Sequence, residues 1–246
     1  MKKVYAFFLI GAMFLSVLAA GCISNTEPST TPVETSTLTN TVPLVTDSNG
    51  NVNMQDLQSY IDSLPSEPLT DAEKEGLLFM VEEEKLAHDV YTKLYEKWGL
   101  QIFSNIARSE TTHVESVRML LKKYNLTDPT ANAGIGEFQN PELQALYDQL
   151  IEMGMKSEID ALKVGALIEE TDIRDLQERI AMTNKIDIIT VYENLMMGSR
   201  NHLRAFVSQL KNRGITYEPQ ILSKDEYEQI INSPMEMGGG MGGSKP

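Results

Sequence analysis

Two stretches of the chain put an imidazole where a helix should show apolar residues, and one of them adds a carboxylate. Along 102–124, steps of three and four give Phe103, Ile106, Glu110, His113, Val117, Leu120 and Tyr124. That is an apolar stripe with an acid and a histidine in its middle. Along 187–213 the same steps give Ile188, Tyr192, Leu195, Ser199, His202, Phe206 and Leu210. Two more stripes carry acids alone: Met80, Glu84, Ala87, Tyr91, Leu94, Trp98, and Leu162, Ala166, Glu169, Ile173, Leu176, Ile180, with Glu170 just beside the second. Buried carboxylates are costly when unpaired, and clustered ones repel one another. Lys and Arg are missing from these stripes, so the compensating cation is expected to be a bound metal. Mixed carboxylate and imidazole ligation suits iron or manganese. The competing reading rotates each stripe by about one residue and leaves these groups solvated; four stripes interrupted alike weigh against it.

An internal repeat sharpens the expectation. EEKLAHDV, residues 83–90, aligns with EETDIRDL, residues 169–176. His113 follows Glu84 by 29 residues, and His202 follows Glu170 by 32. Each half of the chain therefore carries one half-site, and two facing copies enclose a binuclear centre. The alignment pairs Glu84 with Glu170, whereas the stripe prefers Glu169. His88 falls opposite Arg174 and reads as a supporting or surface group.

The elements that must hold these residues are helices. Thr70 and Glu73 form a capping-box pattern, and helical periodicity runs from there to Trp98, with Gly99 as the stop. Further helices are expected at about 102–124, 157–183 and 187–213, the last closed by Gly214. The first two and the last two are joined by a few residues, so each pair is an antiparallel hairpin. Between the hairpins lies a crossover, 125–156, with a short helix at 141–153. The fold class is all-α, a four-helix bundle with one long crossover. Ser223 and Glu226 suggest a last short helix. Asn125–Leu126–Thr127 is a glycosylation sequon that reads better as a helix-ending turn.

The chain has 246 residues and a net charge of −14. That field repels phosphate backbones, so nucleic acid is not an expected partner. Cys22 is the single cysteine, which rules out an intrachain disulfide and a thiolate zinc cage. Residues 1–21 read as a signal peptide of lipoprotein type: Lys2 and Lys3, an uncharged stretch, then LAAG before Cys22. Lipidation of Cys22 would anchor an exported chain to the outer face of the cytoplasmic membrane. Residues 22–66, rich in Ser, Thr and Pro, read as a flexible tether, residues 67–233 as the helical domain, and residues 234–246 as a disordered Met/Gly tail.

EKLAHDVY on the first long helix and SETTHVESV on the second resemble the ferritin-like carboxylate-bridged diiron proteins, the rubrerythrin–erythrin side especially. The region from about Thr70 to Glu228 is similar to an archaeal and bacterial branch of that superfamily, a domain of unknown function. The resemblance implies two metal ions, iron first, with manganese or zinc as alternatives. One Glu from each of two helices and a Glu-x-x-His from each of the other two bind them. It makes Glu84 and Glu170 the single glutamates and Glu110 with His113 one complete pair. His202 belongs to the other pair, but Ser199 stands where its glutamate is expected. A serine hydroxyl is a poor iron ligand, so a neighbouring acid such as Glu169 or Glu83 is the expected substitute. Tyr91 and Ser199 are expected beside the ligands rather than among them.

Three functions remain open on this reading. One is a diiron oxidoreductase acting on oxygen or peroxide; lacking a CxxC pair, it would need an external electron donor. The second is a surface protein that sequesters metal without turnover. The third is a degenerate bundle whose ligand remnants are structural. Expected partners are the membrane, through the lipid, metal ions, and a second copy of the chain as a homodimer.

Overall fold

The structure is a computed structural model that describes residues 53–237. Among the described residues it is all helical, with seven helices and no strands. In order they are α1 (Met54–Ser63), α2 (Asp71–Trp98), α3 (Gln101–Lys123), α4 (Pro141–Gly154), α5 (Glu158–Ala181), α6 (Ile186–Lys211) and α7 (Lys224–Asn232). The four long ones, α2, α3, α5 and α6, pack as two antiparallel hairpins, α2 against α3 and α5 against α6. The hairpins meet through α2 with α5 and α3 with α6, an arrangement compatible with a four-helix bundle. No helix among the described residues is long and apolar enough to cross a membrane.

Local chemistry sets the ends. Thr70 and Glu73 form a reciprocal capping box at the start of α2, and Gly99 closes it at φ 66°. Asn125 ends α3 at φ 52°, and the Leu126 amide donates back to the Leu121 carbonyl. Ser157 and Ser223 cap α5 and α7. The apolar stripes line the interior, from Met80, Leu94 and Phe103 to Leu176, Leu195 and Phe206.

Two boundaries differ from the expectation. The tether was expected to run to residue 66, yet residues 54–63 form α1, which packs on α3 and α6. Leu57 and Ile61 are fully buried, and the Lys123 ammonium donates to the Ile61 and Leu64 carbonyls at its C-terminal end, 2.9 and 3.1 Å. The tail was expected to be disordered from 234, yet Glu236 is held by Arg200 and Arg204, and its amide donates to Asn201 Oδ1 at 2.9 Å. In both places a few buried or charge-assisted contacts outweigh a composition that is poor in core residues. The expected signal peptide, Cys22 and the glycine-rich end of the tail lie outside the described residues.

The acid run of α2 explains how the crossover is fixed. A helix turns about 100° per residue, so consecutive acids look at different neighbours. Glu82 accepts from the Gln139 and Asn140 amides ahead of α4 (2.6 and 3.1 Å). Lys85 pairs with Asp89 and donates to the Gly134 carbonyl at 2.7 Å. Glu83 turns toward α5, where it shares a hydrogen bond with Asp175. Glu84 is left to face the bundle interior.

Candidate metal centre

Glu110 of α3 is the hub. One of its oxygens, Oε2, lies 2.8 Å from His113 Nδ1 and the other, Oε1, lies 2.9 Å from His202 Nδ1 on α6. Glu84 of α2 reaches His113 Nδ1 at 3.1 Å, and Glu169 of α5 reaches His202 Nδ1 at 3.4 Å. Two overlapping groups result, Glu84–Glu110–His113 and Glu110–Glu169–His202; in each, the offered atoms lie within 4.8 Å of one another. All four carboxyl- and imidazole-bearing long helices contribute. The two rings stack at a centroid distance of 5.6 Å.

The neighbours are as specific as the ligands. The Tyr91 hydroxyl donates to Glu169 Oε1 and lies 3.3 Å from the Gly165 carbonyl, which fixes the Glu169 carboxylate. Tyr91 itself is wedged against Phe206, at 5.4 Å between centroids. Gly198 seats His113: a Cβ there would fall 2.6 Å from Nε2, so that edge of the ring lies on bare α6 backbone while Nδ1 faces the acids. Ser199 is fully buried and hydrogen-bonds Asp172 Oδ2.

The expected residues divide. Glu84, Glu110, His113 and His202 come together, and Glu169 joins them. Glu170 does not. Its carboxylate points away from the groups and accepts from the Tyr217 hydroxyl and from the amides of Gln220, Ile221 and Leu222, 2.6 to 3.1 Å. The repeat alignment therefore picked the neighbour of the inward acid, and the apolar stripe picked the inward acid itself. Glu83 stands outside both groups, paired with Asp175. His88 hydrogen-bonds Asp89 at the half-exposed back of α2. Asp172, one turn on from Glu169, is also buried and stands outside both groups; the stripe passes it by because Ile173 occupies the position next to it.

Acids outnumber bases in this interior, and without a cation protons must make up the difference. Burial pushes the Glu84 carboxyl up to about 7, with His113 opposing the shift. Asp172 is raised well above the usual range, first by burial and then by the charge of Glu84. Burial would pull His202 down, yet Glu169 and Glu110 together lift it to about 9; burial also opposes His113, and Glu110 and Glu84 lift that ring further. Glu110 sits well below the usual range because the attraction of both rings outweighs its burial. Two imidazoles drawn toward their protonated forms thus share this interior with four acids, Glu84, Glu110, Glu169 and Asp172, of which all but Glu110 are pushed toward their protonated forms. The surplus of carboxylates is the situation a cation relieves. The donor set fits: Glu84 Oε1 is buried with no hydrogen-bond partner among the described residues, as are Asp172 Oδ1 and Glu83 Oε2 outside the two groups, while Glu110 Oε1 and His202 Nδ1 face one another at 2.9 Å. These Glu and His groups are able to hold a metal ion.

Residues 73–234 match the family model described as an uncharacterized protein domain, DUF2202. The chain belongs to the DUF2202 family. The match opens inside α2 and closes just after α7, so it spans every residue of the two groups. The chain is 59% identical over 179 residues to the uncharacterized protein MJ0754 of Methanocaldococcus jannaschii, covering 73% of this chain and 97% of that one. The crystal structure of hypothetical protein MJ0754 from Methanococcus jannaschii superposes with a TM-score of 0.69, over 71% of this chain and 99% of that one.

Proposed function

We propose that this member of the DUF2202 family is a ferritin-like protein that binds a dinuclear metal centre, with iron the first candidate and manganese or zinc the alternatives. The observation that carries the reading is Glu110, which offers one oxygen to each of two histidine-bearing groups. A carboxylate so placed can bridge two ions while Glu84 with His113, and Glu169 with His202, hold them singly. Iron or manganese bound there would supply the redox equivalents for an oxidoreductase acting on oxygen or peroxide. The chain's own residues bind and orient: Tyr91 sets the Glu169 carboxylate, Gly198 sets the His113 ring, and the surrounding apolar side chains exclude water. The test is metal analysis of the purified protein with optical spectra before and after exposure to oxygen. About two metals per chain and oxygen-dependent absorption bands support the oxidoreductase; metal without such bands leaves a sequestering protein.

One observation favours a different reading. His113 and His202 in their protonated forms partly neutralise Glu84, Glu110 and Glu169 without any metal. A bundle that keeps this network as a structural element would bind no iron, manganese or zinc, and its melting would not respond to them. The proposal also includes export and lipid anchoring at Cys22, so Cys22→Ser should release the protein from membranes or leave its precursor uncleaved.

A further inference from the structure

The two hairpins are built in the same register, which sets Ser199 of α6 in the place that Glu110 holds on α3. In the first, Glu84 faces His113 across α2 and α3. Because the helices run antiparallel, three residues forward on α2 and three back on α3 reach the next pair across, Ala87 and Glu110. In the second, Glu169 faces His202 across α5 and α6. Three forward and three back reach Asp172 and Ser199, which are hydrogen-bonded. The first hairpin therefore carries a small residue on its leading helix and an acid on its trailing one. The second carries the acid on its leading helix and the small residue on its trailing one. The carboxylate has changed sides rather than vanished.

We propose that Asp172 is a metal ligand, the second carboxylate shared between the two ion positions, which α5 supplies because α6 has Ser199 at the corresponding place. The assignment rests on the dinuclear reading above. Asp172 is buried, its Oδ2 is held by Ser199, and its Oδ1 has no hydrogen-bond partner among the described residues. It belongs to neither group, and it stands one turn along α5 from Glu169 and across from Ser199, which is one turn back along α6 from His202. A buried carboxylate oxygen left without a donor among three other acids is hard to tolerate in a fold that never receives a cation. Ser199 then positions the carboxylate: by holding Oδ2 it leaves Oδ1 free to bind.

The experiment measures metal per chain, and the affinity of each site, by equilibrium dialysis of the purified protein with ferrous iron and, separately, manganese. The variants are Asp172→Asn, Ser199→Ala and the double change Asp172→Ala with Ser199→Glu, which copies the first hairpin's arrangement. Asp172→Asn should weaken the second ion by about tenfold or more. The double variant should restore it, and Ser199→Ala should keep both ions with a smaller loss. Metal-free melting of Asp172→Asn should stay close to the parent's, because the amide has nearly the same shape and its oxygen still accepts from Ser199, and this separates ligand loss from misfolding. A parent that binds two ions and an Asp172→Asn variant that binds both as tightly would overturn the assignment alone. A parent that binds neither metal would remove the dinuclear reading and the assignment with it. Should Asp172→Asn fail to fold, the double variant decides: two ions support the assignment, and one ion overturns it.

Discussion

Replacing Glu169 and Glu170 one at a time would separate two jobs that α5 keeps a single residue apart. Glu169→Gln removes a charge from the interior groups, so metal affinity should fall about tenfold or more while metal-free melting holds or rises. Glu170→Ala strands the Tyr217 hydroxyl and three backbone amides that now share its carboxylate. Its expected effect is a loss of roughly 2–4 kcal/mol in denaturant unfolding, with metal stoichiometry unchanged. Equal metal loss in both variants would contradict the orientation of the two side chains. Gly198→Ala makes a third case. Alanine is the better helix former, but its Cβ would press on His113 Nε2, so the ring must tilt and Nδ1 must leave its place between Glu84 and Glu110. Metal titration should show weaker binding at the His113 group, with the helix content by circular dichroism intact.

At the scale of the elements, α1 tests how far the folded domain extends. Leu57→Ala opens a cavity beneath a helix pinned to α3 and α6, and thermal or urea unfolding should register about 2–5 kcal/mol. A change near zero would return residues 54–63 to the tether. This helix was illegible in the sequence for a physical reason. Its ten residues bury two large apolar side chains fully, too few for a periodic signal, and its stability comes from partners far along the chain such as Lys123. The four long helices were legible because their stripes span five or more turns and their caps are local: Thr70 with Glu73, Gly99, and Ser157. The stripes also located Glu84, Glu110, His113 and His202. They failed where a helix is buried on more than one face. On α5 nearly every residue from Ala161 to Glu170 is enclosed, so a narrow stripe understates the interior and passes over Asp172. The repeat failed at Glu170 because the segment 217–222 that receives this acid has no counterpart in the first hairpin.

For the whole molecule, metal and protons compete for the same interior, and pH should move the metal-free stability and the increment that metal adds in opposite directions. Folding raises Glu84 from its ordinary value of 4.5 to about 7 and His202 from 6.5 to about 9. A group whose folded value is raised contributes stability fully below its unfolded value and loses it as pH climbs through the folded one. For Glu84 that window runs from about 4.5 to 7 and for His202 from about 6.5 to 9, so without metal both make the fold weaker as the solution turns alkaline. Metal needs the same two groups deprotonated, so its affinity rises across the same windows and binding releases protons. Bound metal adds stability in proportion to the logarithm of its concentration over its dissociation constant. Melting followed from pH 6 to pH 9 should therefore show the metal-free curve falling while the increment produced by a fixed excess of manganese grows. His202→Gln should flatten the upper part of the metal-free curve and reduce the increment together, because one imidazole serves both. A metal increment that shrank as pH rose would show that the cation binds elsewhere, away from Glu84 and His202.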